Sequence, residues 1–222
     1  VQCTSIRKCT SFSGCNARNR ESSLIMNFNF KEDYILENDV VRLQPLQATD
    51  YEKLVEFSIN EPELWSFNAN GPDNPENLKK YIDKALSQKN KQLEYPFVVF
   101  DKTKNKIAGS TRFYNINLDA KHLEIGFTWY GKEFQGTSLN KNCKFLLLEF
   151  AFEKMQLERV GFRANNLNIR SINAMKSIGC IQEGIMRNFS TDAKGERIDA
   201  IVLSIIKNEW FSTIKENLKN KL

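Results

Sequence analysis

Between Val40 and Ile206, short runs of β-branched and aromatic residues alternate with longer segments whose apolar side chains recur every three or four positions. Period-two runs favour strands and period-3.6 runs favour helices, so the chain must interleave the two. Strand-like runs cover 40–43, 97–100, 107–116, 123–130, 160–164, 185–190 and 198–206. Between them, Thr49 precedes Glu52 at capping-box spacing and opens a helix with Leu54, Val55 and Ile59 on one face. Asn74-Pro75-Glu76 opens a second, whose buried face is Leu78, Tyr81, Ile82, Ala85 and Leu86. A long helix carries Leu139, Cys143, Leu147, Phe150, Ala151 and Met155 inward, and another runs from Ile169 to Ile178. A last one repeats Trp210, Ile214, Leu218 and Leu222 every four residues. The expectation is one α/β domain of the α+β type, a mixed central sheet of six to seven strands flanked by helices.

Composition narrows the function classes. With 41% hydrophobic and 27% charged residues the chain resembles ordinary globular proteins rather than disordered ones. No run approaches the roughly 18 apolar residues of a spanning helix, so no membrane partner is expected. The formal charge of +5 is unevenly placed: Arg7, Lys8, Arg18 and Arg20 against Glu21 put most of it in residues 1–25. The rest is nearly neutral with its lysines dispersed, and nucleic acid is not an expected partner.

Residues 1–25 also hold Cys3, Cys9 and Cys15. Their spacing matches no zinc pattern, and no metal is expected. The segment reads as a disordered leader, either an upstream or vector-derived stretch or a transit-like peptide, and Met26 starts the patterned domain of 26–222. Cys143 and Cys180 alone remain beyond it, which suits a reduced, cytoplasmic protein.

Two stretches carry the chemistry. Phe134-Gln-Gly-Thr-Ser-Leu-Asn140 lies between a strand and a helix. A glycine turn at a helix start presents unpaired N–H groups beside about half a positive charge, a good place for phosphate. In Asn165-Asn-Leu-Asn-Ile-Arg-Ser171 a strand ends in amides and a helix follows at once, so Asn166 or Asn168 is placed to cap it. Gly179 then supplies the stop.

Taken in order, Glu124-Ile-Gly-Phe127, Gln135-Gly136, Asn168-x-x-Ser171, Gly179, Glu183-Gly184, Arg187, Asp199 and Trp210 resemble the GNAT superfamily of N-acetyltransferases. The nearer likeness is to the branch that acetylates ribosomal-protein N-termini (RimJ/RimL-like), and it runs from about Val40 to Trp210. Four positions depart from the family pattern: Ser138 and Asn140 stand at loop glycine or alanine positions, Met175 at a tyrosine acid, and Cys180 at a phenylalanine.

The resemblance implies acetyl transfer from acetyl-CoA directly to a primary amine, of a protein N-terminus or of a small molecule. A CoA-binding protein of the same fold without turnover is the alternative. By the same resemblance, Glu124 is the expected base, its alternative being an edge-exposed strand residue or an ion-pair partner. Ser171 is the group that meets the leaving thiolate, its alternative being an ordinary first-turn hydroxyl. Gln135, Gly136, Thr137, Ser138, Leu139 and Asn140 would hold the pyrophosphate. Asn168 would bond to the pantetheine arm or order its helix, and N–H groups near Phe127 and Thr128 would meet the oxyanion. Asp199 would be a second carboxylate or grip a substrate cation. Leu64, Trp65 and Phe67 would wall the acceptor site or pack the core. The lone His122 reads as a solvated loop residue. A homodimer is an open option for partnership.

Overall fold

The computed structural model describes residues 28–67 and 71–222; the leader 1–25 lies outside them. Eight strands form one sheet: β1 (Leu36–Glu37), β2 (Val41–Pro45), β3 (Tyr95–Asp101), β4 (Lys106–Asn117), β5 (His122–Tyr130), β6 (Arg159–Asn165), β7 (Ile181–Thr191) and β8 (Arg197–Ile206). Their order is β1-β2-β3-β4-β5-β6-β8-β7. The helices are α1 (Tyr51–Asn60), α2 (Pro75–Asn90), α3 (Leu139–Glu149) and α4 (Ile169–Ser177), with a closing helical segment over 207–219. The strand beyond the seven sequence runs is the two-residue β1, too short to give a pattern.

β5 and β6 are the parallel pair of the sheet, joined through α3 in a β-α-β crossover. Every other neighbour pair is antiparallel. One core lies between the sheet and α3, α4 and the closing segment; Phe97, Phe113, Leu147, Phe152, Phe162 and Trp210 fill it. A smaller one under α1 and α2 gathers Leu54, Leu78, Ile82, Ala85, Trp65 and Trp129. Cys143 and Cys180 are buried free thiols. Among the described residues no helix is long and apolar enough to cross a membrane.

Local differences have local causes. The box that opens α1 is Gln47–Asp50 rather than Thr49–Glu52: a short 3-10 turn over Ala48–Asp50 comes first, and the Asp50 carboxylate accepts from the Gln47 N–H at 2.9 Å. β7 starts at Ile181 because its first rungs pair with Leu203 and Ser204. Leu222 falls off the closing stripe and is exposed. His122 is a half-buried strand residue paired with Arg159, not a loop residue.

Candidate active site

β5 and β6 pair over three rungs only, from His122↔Arg159 to Glu124↔Gly161. β5 continues to Tyr130 and β6 to Asn165, each still held by its outer neighbour. The facing edges of 125–130 and 162–165 therefore diverge into a wedge inside the sheet, open toward the starts of α3 and α4. Strand ends at such a parting are where α/β sheets take ligands.

The glycine turn forms one lip of the wedge. Gly136 has φ +72°, a conformation that disfavours any Cβ, and space around it is open. The Gln135 amide is used at both ends: Nε2 donates to the Tyr130 carbonyl at 2.8 Å, and Oε1 accepts from Arg170 Nη1. Thr137 Oγ1 donates to the Phe134 carbonyl and accepts from the Leu139 N–H. The Leu139 N–H is thus occupied and its side chain lies in the core. The N–H groups of Gly136, Thr137, Ser138 and Asn140 meet no acceptor among the described residues and are among those free for a phosphate.

On the other lip, Asn168 is the N-cap of α4, its Oδ1 accepting from the Ser171 N–H at 3.1 Å. The Ser171 hydroxyl makes no hydrogen bond among the described residues. Met175 and Cys180 are buried behind it.

At the apex a bulge shapes β5, where Phe127 and Thr128 together oppose Thr111. Phe127 takes φ +50° and is half exposed, an unusual state for an aromatic residue. Gly126 precedes it because the Tyr114 ring lies 2.6 Å from where a Cβ would stand. The Glu124 carboxylate accepts from Arg163 Nε at 2.6 Å and Nη2 at 3.0 Å, from the Tyr114 hydroxyl at 2.7 Å and from Asn115 Nδ2 at 3.0 Å. Burial beside that carboxylate raises the Tyr114 hydroxyl well above its ordinary value. The arginine raises the demands on Glu124: to take a proton it must release one of four donors.

The sequence profile described as "Acetyltransferase (GNAT) domain" matches residues 41–181, which span the whole wedge. The chain belongs to the GNAT acetyltransferase family, and it is an N-acetyltransferase. It is 26% identical over 178 residues to the "Putative ribosomal N-acetyltransferase YdaF" of Bacillus subtilis, covering 78% of this chain and 94% of that one. A solved structure described as a "putative acetyltransferase from T. thermophilus" superposes with a TM-score of 0.75 at 28% identity, covering 85% of this chain and 96% of the other. Mycobacterium smegmatis RimJ, solved with CoA-disulfide, shares the fold at 16% identity, with a TM-score of 0.71 over 85% of this chain and 93% of its own.

In this acetyltransferase the remaining sequence candidates are scattered. Trp65 is 3% exposed and packs edge-on against Trp129 with centroids 5.2 Å apart, so its ring faces the core. Gly71 lies against it, with room for no Cβ. Phe67 is exposed nearby. Asp199 Oδ1 accepts from the Asn188 N–H at 2.7 Å and holds the bulge of β7, at the edge of a hollow lined by Asn165, Leu167 and Arg197.

Three charged residues near the wedge escaped sequence reasoning. Arg163 alternates with the buried Phe162 on β6, a position that carries no motif. Arg112 is 2% exposed, paired to Glu94 at 2.6 Å and stacked between the Tyr81 and Phe127 rings. Lys144 is buried in α3. Its signal was available: it lies three and four residues before Leu147 and Leu148, on the inward side of the helix.

Proposed function

We propose that this acetyltransferase moves the acetyl group of acetyl-CoA to the α-amine of a protein N-terminus. The observation that carries the reading is the parting of β5 from β6 after the Glu124–Gly161 rung, beside four free N–H groups at the start of α3. A pyrophosphate suits those N–H groups, and a pantetheine arm suits the unpaired strand edges of the wedge.

The amine nitrogen attacks the thioester carbonyl carbon; the C–N bond forms, the C–S bond breaks, and the sulfur leaves with the electron pair. N–H groups of the bulge at Phe127 and Thr128 face the oxygen that becomes negative. Ser171 gives the departing sulfur a hydrogen bond from the α4 side. Asn168 keeps that helix start in place, and the second oxygen of Asp199 is available to a cationic part of the acceptor. Phe67 borders the acceptor entrance, with Trp65 supporting the wall from behind.

The state of Glu124 selects the amine class. Freeing an α-amine of pKa about 8 costs roughly 1.4 kcal/mol at pH 7, whereas a lysine-type amine of about 10.4 costs roughly 4.6 kcal/mol. A carboxylate already engaged with Arg163 and Tyr114 suits the smaller task, reached through a water. The similarity of this chain to a ribosomal N-acetyltransferase points the same way.

The test is CoA release from acetyl-CoA across peptides with a free N-terminus, the same peptides N-blocked but containing lysine, a polyamine and an aminoglycoside. Turnover of the free N-terminal peptides at least tenfold above the others is expected. Preference for lysine, polyamine or aminoglycoside overturns the acceptor class. Acetyl-CoA binding without turnover of any amine overturns the transfer.

A further inference from the structure

The transfer just described, on which this inference rests, leaves one proton unaccounted for. The sulfur departs as a thiolate, and the Ser171 hydroxyl can bond to it but has no proton to spare unless another group resupplies one. His122, at the far end of β5, is six residues before Thr128.

Lys144 is placed to do so. It lies in the second turn of α3, within the fully buried run from Asn142 to Leu148, and is 6% exposed. Its Nζ donates to Thr128 Oγ1 at 2.8 Å, and that hydroxyl lies 2.7 Å from Thr111 Oγ1. Thr128 belongs to the bulge, on the stretch of β5 that has lost its β6 partner. The ammonium therefore stands one hydroxyl away from the bulge of β5. Facing it are Cys143 on its own helix, Cys180 from the turn before β7, and the two threonine hydroxyls; no carboxylate pairs with it among the described residues. A buried charge without a counter-charge is expensive and is rarely kept without use.

We propose that Lys144, acting through the Thr128 hydroxyl, supplies the proton that converts the leaving CoA thiolate to a thiol. Thr128 passes its proton to the sulfur and takes one from the ammonium. Lys144, left neutral, regains the proton that the amine loses on attack. The sum is amine plus thioester giving amide plus thiol. Burial lowers the lysine from its ordinary value to about 8, near that of a thiol, so the transfer is close to balanced. Thr128 touches the sulfur in this scheme; Lys144 is its proton store.

The experiment measures kcat and KM for acetyl-CoA with a free N-terminal peptide between pH 6 and 10, for the wild type, Lys144→Met, Lys144→Arg and Thr128→Val. The wild-type kcat is expected to fall above about pH 8. Lys144→Met should lose about 10²-fold in kcat together with that alkaline limb, while KM for acetyl-CoA stays within about twofold. Lys144→Arg should not restore kcat, because a guanidinium keeps its proton. Thr128→Val should follow Lys144→Met. A folded Lys144→Met protein with wild-type kcat and an unchanged limb overturns the proposal and leaves the transfer reading intact. Rescue by arginine overturns it too, since charge alone would then suffice.

A second measurement needs no variant. In wild-type protein with 13Cε-labelled lysine, one resonance should titrate near pH 8 and move upward with CoA but not with S-ethyl-CoA, which has no ionisable sulfur. A lysine set that titrates wholly above about 9.5, or that responds equally to both ligands, overturns the proposal. Failure to bind either ligand overturns it and the transfer reading together.

Discussion

Glu124 and Arg163 pair across the apex of the wedge, one carboxylate against one guanidinium with bonds of 2.6 and 3.0 Å, from the last residue of β5 that still has a β6 partner. Both are about four-fifths buried. The pair therefore ties the two strands together at the point where they part, and its carboxylate is the one proposed above as the route for the amine proton.

Replacing that carboxylate should separate the two roles. Glu124→Gln keeps the shape and can still meet Tyr114, but leaves Arg163 with an uncompensated charge. A loss of about 1–3 kcal/mol in stability follows, and kcat with an N-terminal peptide should fall about 10²-fold. Arg163→Met, which keeps the carboxylate, should lose similar stability but much less kcat. Urea titration and CoA release on the same samples check this; equal kcat losses in the two variants would make Glu124 purely structural.

At the glycine turn, Gly136→Ala meets no neighbour but must hold φ at +72°. The left-handed state should cost about 1 kcal/mol of stability. If the loop relaxes to avoid it, the free N–H groups turn away and CoA affinity drops roughly tenfold, about 1.4 kcal/mol. Calorimetric titration with CoA and with dephospho-CoA reads the loss, which should be alike for both since the pyrophosphate is common to them.

At the start of α4, Asn168→Ala removes the cap on the Ser171 N–H and should cost about 1 kcal/mol. Ser171→Ala leaves that bond in place and should leave the melting temperature nearly unchanged while lowering kcat. A stability loss from Ser171→Ala as large as that from Asn168→Ala would place the hydroxyl in the fold rather than in the transfer.

How much of this is legible in the sequence depends on what each residue's role rests on. Periodicity placed α2, α3 and seven strands because burial of alternate or stacked side chains leaves its period in the sequence; Leu78, Ile82 and Ala85 sit where their spacing puts them. Gly136 and Asn168 were readable because backbone conformation and capping demand particular residue types. The wedge was not readable, because strands 125–130 and 162–165 have the same composition whether paired or parted. Arg163 and Arg112 escaped because their partners, Glu124 and Glu94, are 39 and 18 residues away. Trp65 could face either a pocket or a core, and only Trp129 and Gly71 beside it decide.

Lys144 carries a stability signature that is independent of catalysis. In the unfolded chain its amine titrates at about 10.4, and in the native protein burial lowers it to about 8. Between those values the unfolded state binds more protons, so the lysine's effect on stability becomes more favourable as pH rises through that window. Below pH 8 the native protein bears the full cost of the buried ammonium, about 3 kcal/mol for a shift of this size. The wild-type curve alone does not isolate it: burial raises Cys143 and Cys180 to about 12, and these thiols make stability fall with pH above about 9. The difference between wild type and Lys144→Met cancels the thiol contribution apart from the part by which the ammonium itself lowers the two thiols. Lys144→Met should be the more stable at pH 7, by up to about 3 kcal/mol less the lost Thr128 bond of about 1 kcal/mol. That advantage should vanish or reverse by pH 10, as read from urea midpoints at unit pH steps. A difference that stays constant from pH 7 to 10 would mean that Lys144 titrates alike in the folded and unfolded states, with its ammonium in contact with water.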